Sequence, residues 1–96
     1  MTWADRHIEA LERGEVVKFR PKGNSMTPRI RSGELVTVQP CATPRVGDAV
    51  LCRVGGRAYL HIVGAVGAGG FRIENIRGDV NGWTRNVYGR VVNVEP

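Results

Sequence analysis

Gly23-Asn24-Ser25-Met26-Thr27-Pro28 lies between two short runs with strand character, Val16 to Arg20 and Leu35 to Val38. Glycine and asparagine tolerate the backbone torsions of a sharp turn, and Pro28 sets the torsion of the turn that follows. The stretch therefore predicts a turn between two strands, with Ser25 directly after the pliable pair. A serine in a turn is ordinarily only a turn residue. Whether Ser25 carries chemistry depends on what lies downstream.

Working outward, the helical period appears only before this turn. Thr2 reads as a helix N-cap with Asp5 three residues on, as in a capping box. Ala4, Ile8 and Leu11 make one apolar stripe, and Gly14 reads as the C-terminal cap. From Glu15 the period becomes two: Val17 and Phe19 face one way, Lys18, Arg20 and Lys22 the other. Strands are then expected at Leu35 to Val38, Ala49 to Val54, Arg57 to Val66, Phe71 to Ile76 and Val87 to Val94. Gly55-Gly56 is a hairpin turn, Gly67 to Gly70 a flexible turn, and Gly78 to Arg85 a polar loop. One helix (residues 1–14) and a six-stranded core (residues 15–96) predict a single, mainly β domain with a curled sheet or partial barrel.

The 96 residues allow one small domain, burying roughly 60–65% of the unfolded surface. No run reaches the ~20 apolar residues of a membrane span, and no signal peptide is evident. The expectation is a soluble cytoplasmic protein without a membrane anchor. Cys41 and Cys52 make no disulfide framework, and with His7 and His61 they lack the close pairing of a zinc site. No metal or cofactor is expected. The net charge of +5 favours acidic partners without naming one. Arg29 and Arg31 lie just past Ser25, so the cations around the turn are either a solvated strand face or a basic rim that draws an acidic partner.

The reactive side chains are few: Ser25 and Ser32, His7 and His61, Lys18 and Lys22, and the aspartates Asp5, Asp48 and Asp79. A serine nucleophile needs a base and donors for the oxyanion. Imidazole suits the base role, with a reference pKa of ~6.5. Along the fourth strand Ala58, Leu60 and Ile62 form the better core face, which leaves Tyr59, His61 and Val63 on the other and His61 free to look into a cleft. Asp79, within Arg77-Gly78-Asp79-Val80-Asn81, is the carboxylate best placed in sequence to orient the imidazole.

The order of these segments resembles the LexA-like and type I signal peptidase superfamily. Gly23-Asn24-Ser25-Met26-Thr27-Pro28 followed by Ser32-Gly33-Glu34-Leu35-Val36 is similar to its nucleophile segment. Val46-Gly47-Asp48-Ala49-Val50 resembles the next shared turn and strand. Tyr59-Leu60-His61-Ile62-Val63 falls where the superfamily carries its base. Gly78-Asp79-Val80-Asn81 with Gly89-Arg90-Val91-Val92 resembles the closing segment. The resemblance implies coiled β-sheets, a groove that holds a peptide as an added strand, and peptide hydrolysis by Ser25 through an acyl-enzyme. The Ser25 N–H would be one oxyanion donor, and Gly23, Asn24, Met26 and Pro28 would contact substrate.

No lysine follows Ser25, so the lysine base of most members is excluded. His61 stands in its place, as in the archaeal and endoplasmic-reticulum-type signal peptidases. Those enzymes carry a further aspartate after the closing motif, where this chain reads Gly82-Trp83-Thr84-Arg85; either Asp79 orients His61 or nothing does. No Ala-Gly pair precedes Ser25, so cleavage of other chains is expected rather than self-cleavage. Two alternatives remain: a peptide-binding module of the same fold without turnover, and a nucleic-acid-binding protein. The second is disfavoured by the few aromatics and the lack of a recognition element. Oligomeric state is not legible.

Overall fold

The computed structural model describes residues 2–96. Over these residues the chain runs through one helix, α1 (Asp5–Glu12), and seven strands. The strands are β1 (Val17–Phe19), β2 (Leu35–Pro40), β3 (Ala49–Val54), β4 (Arg57–Gly67), β5 (Gly70–Glu74), β6 (Val80–Thr84) and β7 (Val87–Glu95). They form one antiparallel sheet in the order β1-β2-β7-β3-β4-β5-β6. The fold is mainly β, as the alternation predicts.

The sheet is curled because its strands are irregular. Register shifts interrupt the β2–β7, β3–β7, β4–β5 and β5–β6 pairings, and an extra residue in one strand bends it and increases its twist. The curl brings β6 back against β3, where the Thr84 hydroxyl donates to the Arg53 carbonyl at 2.6 Å. Both faces of the middle strands are consequently buried. On one, Ile8 and Leu11 of α1 pack with Val36, Val38, Leu51 and Leu60. On the other, Val50, Cys52, Val63, Ile73 and Val87 form a second cluster.

Two local expectations need correction. The segment read as a polar loop, Gly78 to Arg85, contains β6. Its exposed Asn81 and Trp83 and its Gly82 give little apolar alternation; pairing to β5 and the Thr84 hook hold it instead. The helix starts later than a Thr2 N-cap implies: Ala4 is the cap residue and gives no side-chain cap. Only half of a capping box forms, the Asp5 carboxylate accepting from the Thr2 N–H at 2.9 Å and from its hydroxyl at 3.0 Å. At the other end Gly14 has a φ of +84°. The Gly14 N–H donates to Leu11 and the Glu15 N–H to Ala10, which is a Schellman closure.

Asp5 also ties α1 to the sheet through an ion pair with Arg53 at 2.8 Å. Hydrogen bonds from Thr2, then from Arg53, hold the Asp5 carboxyl below its ordinary value of 3.8. A carboxyl depressed in the folded state contributes stability above its unfolded pKa and loses it as pH falls through the folded one. Asp5→Asn is therefore expected to lower the urea midpoint at neutral pH. The gap between wild type and variant is expected to close below about pH 4, as paired urea titrations at the two pH values would read.

Candidate active site

The turn bearing Ser25 is mostly exposed but pinned from below. Gly23, Asn24, Ser25, Thr27, Pro28 and Arg29 face solvent, while Met26 and Ile30 are buried. Burying each such side chain contributes ~1.5–3 kcal/mol relative to exposure, enough to hold a short irregular segment in one place. Local bonds complete the frame: the Ile30 N–H to the Met26 carbonyl at 2.9 Å, and the Gly23 N–H to the Ser32 hydroxyl at 3.2 Å. The Ile76 N–H donates to the Ser25 carbonyl at 3.0 Å, fastening the turn to the β5–β6 connection. The Ser25 N–H meets no acceptor among the described residues.

His61 reaches this turn from the middle of β4. Its Nε2 lies 3.0 Å from Ser25 Oγ. The face it occupies continues into the second apolar cluster and His61 is only 8% exposed, yet it lines the cavity beside Ser25. Tyr59 packs beside the imidazole with centroids 5.0 Å apart. The other ring nitrogen, Nδ1, lies 2.6 Å from Asn81 Oδ1. An amide oxygen only accepts, so this contact matches the neutral tautomer with its proton on Nδ1, in which Nε2 is the acceptor facing Ser25.

The structure does not bring Asp79 to His61. The Asp79 carboxylate accepts from Asn75 Nδ2 at 3.0 Å and lies 3.6 Å from Arg77 Nε. The buried Asn75 side chain in turn accepts from the N–H groups of Arg77 and Asp79. Asp79 thus closes the turn whose Ile76 N–H holds Ser25. Asn81 is the residue that sequence reasoning missed. Ile73 pairs with Gly82 and Glu74 with Val80, so Asn81 is the extra residue of a β-bulge. Bulges re-aim side chains, and this one aims Asn81 at the imidazole. Gly82 next to it has a φ of +139°, which a side chain would strain.

A cavity of about 430 Å³ opens beside Ser25 and His61. Gly23 and Met26 line it; Asn24 and Pro28 do not. Leu60, Ile30 and Ala58 give it apolar walls, and Arg20, Lys22 and Arg31 also contribute to its lining. Among the described residues no three His, Cys, Asp or Glu side chains gather as a metal site. Burial pushes the Cys52 thiol up to about 12, so that sulfur is a packing group rather than a nucleophile.

The peptidase S24-like family profile matches residues 3–76. The chain belongs to the peptidase S24-like family. The matched span contains Ser25 and His61 and stops before Asn81. No curated protein and no solved structure matches the chain. Among the described residues no helix is long and apolar enough to cross a membrane.

The hydrogen-bond chain makes a spectroscopic prediction. Long-range nitrogen–proton NMR correlations of neutral His61 should show the proton on Nδ1 in wild type. Asn81→Ala should mix the two tautomers while leaving the sheet's amide spectrum in place. A wild-type ring protonated on Nε2 would contradict the assignment.

Proposed function

We propose that this S24-like chain is a serine endopeptidase acting on other polypeptides, with Ser25 as nucleophile and His61 as general base. The observation that carries this is the 3.0 Å approach of Ser25 Oγ to His61 Nε2 while Nδ1 faces an acceptor. That distance lies within the reach required of a base and its nucleophile. Ser25 Oγ attacks the peptide carbonyl as its proton passes to Nε2. The oxyanion forms near the unoccupied Ser25 N–H, the amine leaves with the proton, and water releases the acyl group. Asn81 is a positioning residue that acts through the ring. The Ser-His pairing makes the site similar to the archaeal and endoplasmic-reticulum-type signal peptidases rather than to the lysine-dependent members. The two free cysteines fit action in the cytoplasm.

The groove supports a peptide laid down as a strand. β5 pairs with β4 only from Ile62 onward, while β3 pairs along Arg57 to Ile62. The first half of β4 therefore has an open edge beside the cavity. Val63 directs its N–H and C=O toward Asp48 and Gly47. Antiparallel alternation then turns those of His61 and Tyr59 toward β3, and those of Leu60 and Ala58 toward the open edge. An extended peptide could take these bonds and present its carbonyl to Ser25.

A second reading, a peptide-binding module without turnover, is favoured by one observation. The group on Nδ1 is a neutral, exposed amide, which stabilises an imidazolium less than a carboxylate does. Serine-directed fluorophosphonate labelling separates the two. Wild type is expected to label on Ser25, Ser25→Ala not at all, and His61→Ala about 10²–10⁴-fold more slowly. Equal labelling of wild type and Ser25→Ala would remove the peptidase reading. Peptide binding without label or products would support the second.

A further inference from the structure

We propose that the cavity beside Ser25 selects acidic peptides, with a glutamate or aspartate side chain of the bound peptide held by Lys22 and Arg31. This rests on reading the cavity as a peptide site. Its lining includes three cations, Arg20, Lys22 and Arg31, and no carboxylate. The imbalance is built into the chain: between Glu15 and Glu34 there are five cations, Lys18, Arg20, Lys22, Arg29 and Arg31, and no acid. It is not relieved by folding. Among the described residues the four ion pairs lie elsewhere and use none of the three lining cations.

Two of the three have their surroundings fixed without loss of charge. Arg20 Nη1 donates to the Gly33 carbonyl at 2.8 Å, which holds the side chain and leaves the guanidinium charged. Glu34, the acid that ends the run, spends Oε1 on the Arg31 N–H at 2.6 Å and makes no ion pair with its guanidinium. Unpaired cations at a concave, partly apolar site attract and orient an anionic ligand. A concave cavity backed by Leu60 and Ile30 fits a side chain on an extended peptide. A duplex would instead need an element that enters a groove.

The test is binding, so it does not depend on turnover. Ser25→Ala protein is titrated by fluorescence anisotropy against labelled, C-terminally amidated hexapeptide pools with Glu, Gln or Lys at each position in turn. At one or two positions the Glu pool should bind tighter than the Gln pool by about 5-fold per ion pair made. The advantage should shrink in about 0.5 M salt, where charges are screened over a few ångströms. Lys22→Gln with Arg31→Gln should abolish the preference, and Lys22→Glu with Arg31→Glu should turn it toward the Lys pool. The proposal is overturned if Glu and Gln pools bind alike, or if the preference survives both double variants. It is also overturned if only a free C-terminal carboxylate supplies the effect, or if a single-stranded oligonucleotide displaces every pool. Failure here with labelling of wild-type Ser25 leaves the peptidase reading standing; an acidic preference with no labelling leaves the binding module.

Discussion

A neutral imidazole can take a proton from a hydroxyl only through the nitrogen that does not already carry one. Everything at this site follows from which nitrogen that is. The Asn81 amide oxygen, 2.6 Å from His61 Nδ1, occupies the nitrogen away from Ser25 and so leaves the near one open. A carboxylate would do the same and also favour the charged ring. An amide does the first without the second. The arrangement therefore keeps the geometry of a serine–histidine pair and gives up part of its electrostatic support.

The fold exists, at this level, to bring three distant segments to one point. The Ser25 turn is fixed by Met26 and Ile30 in the core and by the Ile76 N–H on the Ser25 carbonyl. His61 is fixed by the middle of β4, where Leu60 packs on one face and Val63 on the other. Asn81 is fixed by a bulge in an edge strand that curls back to β3. Asp79 and Asn75 knit the turn between these parts. Changes in that turn would reach Ser25 without touching it.

Much of this was legible in the sequence, for physical reasons that also explain the gaps. Strands with apolar alternation or an apolar run, such as Ala49–Val54 and Arg57–Gly67, announce themselves because burial selects their side chains. β6 does not, because its hold comes from backbone pairing and one hydroxyl. The apolar stripe of α1 was plain, yet its start was not, since Thr2 bonds the Asp5 side chain instead of capping a turn. Ser25 and His61 stood out by residue type and order. Asn81 did not: only a register shift between β5 and β6 turns it to the ring, and register belongs to the pairing of two strands rather than to either one. Asp79 is the carboxylate best placed in sequence, but beside Asn75 Nδ2 it has turn donors nearer than any imidazole.

The central claim is that His61 removes the proton from Ser25. It is tested most directly by the rate of fluorophosphonate inactivation of His61→Ala with and without added imidazole. The account predicts that free imidazole, entering the space the side chain leaves, restores part of the rate in His61→Ala and none in Ser25→Ala. A His61→Ala rate equal to that of wild type, or one that imidazole leaves unchanged, would contradict it.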